Sequence, residues 1–188
     1  MTYPIYIYGH PILRKIAVDI DKNYPGLEKL IQDLFETMYN SEGLGLAAPQ
    51  IGKSIRLFVI DGEPLAKDEP ELANFKKVFL NAHIKTRSGE PELMNEGCLS
   101  IPHLHEEVAR ETHIHITYYD ENWEYHDEKF KGYKARIIQH EYDHLDGILF
   151  TDRVSPLKKR LLKGKLKAIS KGEFDADYKT ILPTQKIK

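Results

Sequence analysis

The sequence has one cysteine and no long hydrophobic run. Because Cys98 has no second cysteine to pair with, an intramolecular disulfide is excluded, and a reducing compartment suits the chain. No stretch approaches the roughly 18 apolar residues that a membrane-spanning helix needs. The N-terminus has no basic segment before its apolar residues, and Pro4, His10 and Pro11 interrupt them, which argues against a signal peptide. We therefore expect a cytoplasmic protein without a membrane partner.

The composition suits one ordinary globular domain. With 41% hydrophobic and 30% charged residues in 188, such a chain buries roughly two thirds of its unfolded surface. We predict one metallohydrolase domain over residues 1–188, with residues 154–188 as a C-terminal basic helix and tail. From Pro156 to Lys188 there are ten Lys or Arg against three Asp or Glu, although the net charge is −2. A tail of this charge favours an anionic partner.

Apolar periodicity predicts three helices and three strands. Helices are expected at 27–39, 135–145 and 156–170, where apolar residues recur at helical spacing. Leu157, Leu161, Leu162, Leu166 and Ile169 should face inward on the last of these. Strands are expected at 55–60, 78–84 and 112–119, and the segment 63–75 is interpreted as a surface loop. Because strands and helices do not alternate regularly, the fold class should be α+β.

The strongest chemical signal is the motif that runs from His140 through Glu141 to His144. Residues four apart lie on one face of a helix, so both imidazoles can reach one metal ion, with Glu141 beside it. This arrangement is typical of metal-assisted hydrolysis. A polar helix face is the simpler alternative.

The third metal ligand is found partly by exclusion. A metzincin would have His where Phe150 stands, and the single Glu after Glu141 is Glu173, a poor ligand candidate. Cys98 lies in the short segment 95–102 and can supply a thiolate, although an isolated cysteine is usually buried for packing. Two other functions stay open, a zinc endopeptidase with the HExxH motif and a structural Cys/His site in a non-catalytic module, which would need a fourth ligand.

The glycine-rich segment 43–52 imitates a dinucleotide fingerprint. Such a fingerprint must follow a strand and open a helix, whereas Gly43 and Gly45 follow a predicted helix and soon meet Pro49. We expect no dinucleotide. The glycines instead favour close approach of the backbone to a bound peptide, with the Gln50 amide as a donor directed into the site.

Three segments together resemble the peptide deformylase family. They are Gly43-Leu-Gly-Leu-Ala-Ala-Pro-Gln50, Glu96-Gly-Cys-Leu-Ser100 and Gln139-His-Glu-Tyr-Asp-His-Leu145. The resemblance extends over roughly residues 4–153. It implies antiparallel sheets packed around a central helix that carries HExxH, with an N-terminal amphipathic helix and a C-terminal basic helix.

The resemblance also implies a reaction and its residues. Cys98, His140 and His144 would bind one divalent ion, with iron(II) expected and zinc, nickel or cobalt possible. Water activated by the ion would attack the formyl group of a formylmethionyl nascent peptide and release formate. Glu141 would move the proton, and the Gln50 amide and Leu99 N–H would hold the oxyanion. The substrate would be bound by Gly43, Gly45, Met94, Gly97, Tyr133 and Ile137.

Two features depart from the family pattern or lie outside its matched range. Where many members have Gly or Arg, this chain has His103 and His105, so the usual arginine contact to the substrate backbone is in doubt. His105 could replace it, but we expect a solvent-exposed histidine. The basic helix at 156–170 resembles in position a C-terminal extension that contacts the ribosome. Solvated lysines on an amphipathic helix would give the same pattern.

Overall fold

The computed structural model describes residues 1–184, which form three α-helices and seven β-strands. The helices are α1 (Leu27–Asn40), α2 (Gly132–Leu145) and α3 (Pro156–Ser170). The strands are β1 (Ile5–Tyr6), β2 (Gly45–Ala47), β3 (Leu57–Asp61), β4 (Lys76–Cys98), β5 (Ile101–Tyr119), β6 (Tyr125–Lys131) and β7 (Thr180–Ile181). The predicted helices are confirmed to within three residues at either end.

Five strands form one antiparallel sheet in the order β2-β3-β4-β5-β6. The remaining strands, β1 and β7, pair in parallel and join the two ends of the described chain. The α+β prediction is confirmed. The parallel pair was not predicted, because strands of two residues are too short to show an alternating pattern.

The short strand β3 explains how α1 and α2 are placed. All five of its residues are buried, and successive side chains of a strand point to opposite faces. Leu57 belongs to the same cluster of buried side chains as Leu34 of α1, whereas Phe58 belongs to the cluster of Ile138 of α2. The two helices therefore cover opposite faces of the sheet, and α2 is held against the core with its polar residues fixed in place.

The hydrophobic pattern predicted fewer and shorter strands than the structure contains. The segments predicted at 78–84 and 112–119 are parts of the much longer β4 and β5, and β6 was missed. Strand β6 lies at the edge of the sheet and alternates between exposed and half-exposed residues. Edge strands bury little apolar surface and are often charged, so the hydrophobic pattern that identifies an inner strand is weak there.

The segment 63–75 is more than a surface loop. Leu72 is fully buried and Phe75 is 4% exposed. The Glu71 carboxylate accepts a hydrogen bond from the backbone N–H of Tyr133 at 2.9 Å, and it therefore satisfies a free donor in the first turn of α2. Leu72 and Phe75 join this segment to the core, and Glu71 joins it to the helix that carries the site.

Only part of the predicted apolar face of α3 is buried. Leu162, Leu166 and Ile169 are buried, but Leu157 and Leu161 are 59% and 72% exposed. Each residue turns a helix by about 100°, so the three buried positions lie within roughly 60° of one another and the two exposed ones lie at least 100° from Leu162. The prediction that Leu157 and Leu161 face inward was wrong, because α3 packs along a narrow stripe.

Candidate metal centre

Helix α2 carries His140, Glu141 and His144, and the first two line a cleft. The two imidazole rings lie one turn apart, with their centroids separated by 5.3 Å. Glu141 and His144 are 5% and 1% exposed. The HExxH spacing therefore places two nitrogen ligands on one face of the helix and a buried carboxylate beside them.

The third ligand lies at the end of β4. Cys98 pairs with Ile101 across a tight turn formed by Leu99 and Ser100. Its Sγ atom is 3.4 Å from Nε2 of His144. The candidate ligand atoms of Cys98, His140 and His144 all lie within 4.8 Å of one another, which is the separation expected of atoms that share one ion.

Glu96 orients the first histidine. Its Oε2 atom lies 2.9 Å from Nδ1 of His140, so Nδ1 carries the proton in the neutral imidazole and Nε2 is left as the ligand atom. Metal-binding histidines usually donate their second N–H to a carboxylate or carbonyl in this way.

Glu96 is also the centre of a buried ionic network. Its two oxygens accept hydrogen bonds from Arg110 at 2.6 and 2.9 Å, and Arg136 donates to it at 2.8 Å. Arg110 donates in turn to Asp143 of α2 at 2.7 Å, and Asp143 also accepts from Arg153. This network ties β4, β5 and α2 together behind the ligands.

The pKa values of the two buried glutamates of the site are shifted in opposite directions. Burial alone would raise the pKa of Glu96, but hydrogen bonds from Arg110 and His140 hold it well below its ordinary range. Burial raises the pKa of Glu141 to about 7, and the Glu96 carboxylate adds to the rise. Among the described residues, Oε2 of Glu141 has no hydrogen-bond partner. A buried, unpartnered carboxylate oxygen is costly, and it indicates that a ligand or water belongs next to Glu141.

Hydrogen bonds fix the orientation of the Gln50 side chain. It is 2% exposed, and its Oε1 atom accepts from the Ala47 N–H at 2.9 Å. The amide nitrogen then points to Ser100 Oγ at 3.2 Å and to Cys98 Sγ at 3.5 Å. Gln50 therefore presents N–H donors beside the candidate metal ligands.

The two loop glycines make room for side chains of the protein itself. A Cβ atom at Gly45 would overlap the Glu141 carboxylate, and one at Gly43 would lie 2.9 Å from the Leu99 side chain. A side chain at Gly45 would displace the buried Glu141, whereas one at Gly43 would require the end of the Leu99 side chain to shift. The backbone at these two glycines therefore lies close to the side chains of Glu141 and Leu99.

A cleft of about 530 Å³ opens above these residues. The candidate substrate residues all line it, namely Gly43, Gly45, Met94, Gly97, Tyr133 and Ile137, and so do Gln50, Leu99, Cys98, His140 and Glu141. Ile137 is 6% exposed and gives the wall of the cleft an apolar patch. The residues chosen from three distant segments therefore meet at one concave surface, the usual form of a small-molecule or peptide site.

The residues present fit a divalent ion. One soft thiolate and two imidazoles are ligands for iron, zinc, nickel or copper. Three protein ligands at the base of an open cleft leave a position for water or substrate, as catalytic sites do and closed structural sites do not. The unpartnered Oε2 atom of Glu141 lies in the same site.

Several residues of the site were not predicted. Glu96 lies two positions before Cys98 in the motif 96–100, and this closeness could have indicated its role. Ser100 and Asp143 also stand in the sequence motifs, whereas Arg110 gave no signal, because its role depends on a contact between distant segments. Tyr178 also lines the cleft, although it lies beyond the range of the motif resemblance.

The two unusual histidines lie at the mouth of the cleft. His105 is exposed, as expected, and its ring covers Gly97, where a Cβ atom would come within 2.5 Å of Nε2. His103 adopts a positive φ of 58°, which is uncommon outside glycine. Its Nε2 atom contacts the backbone oxygen of Asp175, so it joins β5 to the C-terminal tail.

Among residues 1–184, no helix is long and apolar enough to cross a membrane.

Comparisons with known proteins agree with this geometry. The family described as Polypeptide deformylase matches residues 2–160. The peptide deformylase of Christiangramia forsetii is 52% identical over 193 residues, which cover 99% of this chain and 98% of that protein. That of Cytophaga hutchinsonii is 47% identical over 186 residues, covering 99% and 100%. The crystal structure of the peptide deformylase from Thermus thermophilus is similar, with a TM-score of 0.79, 39% identity and coverage of 92% and 99%.

Proposed function

Because this chain belongs to the polypeptide deformylase family, we propose that its cleft hydrolyses the N-formyl group of nascent peptides. The reaction is metal-dependent, and its products are formate and a peptide with a free N-terminal amine. The observation that carries the proposal is the convergence of Cys98, His140 and His144 around the buried carboxylate of Glu141.

The metal supplies one part of the chemistry. When bound by Cys98, His140 and His144, a divalent ion acts as a Lewis acid that activates water and polarises a carbonyl oxygen. Iron(II) is the ion we propose for the cell, and zinc, nickel or cobalt fit the same ligands. Since a metal-bound thiol is deprotonated, Cys98 acts as a ligand and not as a nucleophile.

The residues of the chain supply proton transfer and charge stabilisation. Glu141 accepts the proton of the attacking water and returns it to the departing amine. Support for this role comes from its buried carboxylate, whose Oε2 atom has no partner in the described structure. The Gln50 amide and the Leu99 N–H stabilise the oxyanion that develops on the formyl oxygen. The loss of one such donor typically costs about 3 kcal/mol of barrier.

The substrate lies along the cleft. Gly43, Gly45 and Gly97 line the cleft, and the peptide backbone of the substrate lies along them. Met94, Tyr133 and Ile137 form the pocket for the methionine side chain. This assignment is supported by the fact that all three line the same cleft as Cys98 and His140.

The basic helix α3 gives the enzyme a second contact surface. Lys159, Arg160, Lys163, Lys165 and Lys167 are exposed on it, and they suit an anionic partner such as ribosomal RNA. Lys158 is different, because it pairs with Glu106 at 2.7 Å and so holds α3 against β5. We also propose that the protein is cytoplasmic and forms a single domain.

The function is tested by formate release from formyl-Met-Ala-Ser. Protein purified anaerobically with iron(II) should release formate, and Glu141→Gln should lower kcat by at least about 100-fold while the metal is retained. Glu28→Gln is a matched control, since Glu28 is an exposed glutamate on a helix, and it should keep full activity.

Two results would contradict the proposal. Cleavage of an unformylated internal peptide without formate release would favour the HExxH endopeptidase. Full activity of Glu141→Gln would remove Glu141 from the mechanism and revive a structural metal site.

A further inference from the structure

The C-terminal tail beyond α3 returns to the cleft. Strand β7 pairs with β1, so that the Ile5 N–H donates to the Lys179 oxygen at 2.8 Å and the Ile7 N–H donates to the Ile181 oxygen at 3.0 Å. Pro183 packs against Gly9, where a Cβ atom would lie 3.1 Å from it. These contacts fix the tail along the N-terminal strand, next to the hairpin that carries Cys98.

The tail forms one wall of the cleft. Residues 175–178 line it, as do Gly43 and Gly45. This wall is anchored at one end by β7 and at the other by the contact of His103 with the backbone of Asp175. The segment after the family-matched residues therefore belongs to the site and is not a detached extension.

Tyr178 makes the decisive contact. Its hydroxyl donates to the backbone oxygen of Leu99 at 2.7 Å, a short and well-formed hydrogen bond. Its ring is half-buried in the same apolar cluster as the Leu99 side chain. Leu99 is thus held from the tail side by both packing and a hydrogen bond.

The two carbonyl groups of the Leu99–Ser100 turn accept hydrogen bonds from residues outside the hairpin. The Tyr8 N–H donates to the Ser100 oxygen at 2.8 Å, and Tyr178 holds the Leu99 oxygen. The two peptide units on either side of Leu99 share its Cα atom. When the unit that contains the Leu99 oxygen is fixed, the unit that contains the Leu99 N–H can move only by rotation about the φ and ψ bonds of Leu99.

We propose that Tyr178 is a positioning residue that holds the Cys98–Ile101 turn so that the Leu99 N–H points at the substrate oxyanion. This inference rests on the proposed deformylase reaction. The oxyanion forms as the transition state is approached, so loss of the positioning contact should lower kcat more than it raises KM.

Tyr178→Phe tests the proposal, because it keeps the ring and removes only the hydroxyl. We expect kcat for formyl-Met-Ala-Ser to fall roughly three- to tenfold, the size of one modest net hydrogen bond. KM should change by less than about twofold. The bound metal per chain should stay that of the wild type. In nuclear magnetic resonance spectra, the amide signals of Leu99 and Ser100 should shift.

Tyr125→Phe is the matched control. Tyr125 is 59% exposed on β6 and lies outside the cleft, so its variant should match the wild type in kcat, KM and amide signals. Wild-type kcat in Tyr178→Phe would overturn the proposal, and so would loss of metal or a fall in kcat with unchanged Leu99 and Ser100 signals. If the wild type itself releases no formate, the deformylase proposal fails, whereas a difference confined to Tyr178→Phe bears on this inference alone.

Discussion

At the scale of single residues, Glu96 connects the metal ligands to the rest of the protein. It is 7% exposed, and it accepts hydrogen bonds from Arg110, Arg136 and His140. A buried ion pair gives little net stabilisation over apolar packing, but removing one partner leaves an uncompensated charge in the interior. Glu96 therefore matters for stability as well as for the orientation of His140.

We predict that Glu96→Gln destabilises the metal-free protein by about 3–5 kcal/mol, because two buried guanidinium groups lose a negative partner. Urea unfolding of the metal-free protein measures this change. The control is Glu92→Gln, since Glu92 is an exposed glutamate on the same strand, and its variant should stay within about 0.5 kcal/mol of the wild type. Equal midpoints for both variants would show that the network contributes no stability.

At the scale of elements, the N-terminal segment has a turn that depends on a neutral histidine. His10 is 9% exposed and precedes the 3-10 turn Pro11–Arg14. Its Nδ1 atom accepts a hydrogen bond from the Ile12 N–H at 3.2 Å, which a protonated nitrogen cannot do. Burial lowers the pKa of His10, and the charge of Lys15 lowers it further.

This shift predicts a loss of stability in acid. The pKa of His10 is lower in the folded protein than its unfolded value of about 6.5. As the pH falls from about 6.5 through the folded pKa, the unfolded chain therefore takes up a proton that the folded one resists, and stability decreases. His10→Asn keeps an acceptor at the cap without a titrating group. The free energy of unfolding of the variant should fall less between pH 8 and pH 5, and identical slopes would disprove the role of His10.

At the scale of the whole molecule, the proposed metal ligands come from two distant parts of the chain. Cys98 comes from β4, and His140 and His144 come from α2. An ion that binds only the folded arrangement stabilises it by mass action. The bound metal should therefore act as a cross-link between hairpin and helix.

We predict that zinc at about 100 times its Kd stabilises the metal-free protein by about 2.7 kcal/mol. Thermal or urea unfolding with and without zinc measures the gain. His144→Ala should show almost none of it, whereas His113→Ala, at an exposed histidine, should respond as the wild type does. If zinc stabilised His144→Ala as much as the wild type, zinc would bind at another site.

Much of this protein could be predicted from local patterns. The three helices follow from apolar spacing, and the HExxH spacing alone determines that His140 and His144 share a helix face. The proposed roles of Cys98 and Gln50 come from the motifs in which they stand. In each case the deciding information lies within a few consecutive residues.

The tertiary structure decided what depends on contacts between distant segments. Arg110 meets Glu96 because β4 and β5 pair, and Tyr178 reaches Leu99 because β7 runs back along β1. The sequence by itself determined the helices, the ligand pair and the chemistry of the motifs, since these follow from backbone periodicity. The network behind the ligands, the exposed leucines of α3 and the wall formed by the tail depend on which surfaces are covered, and only the packing of the folded chain settles that.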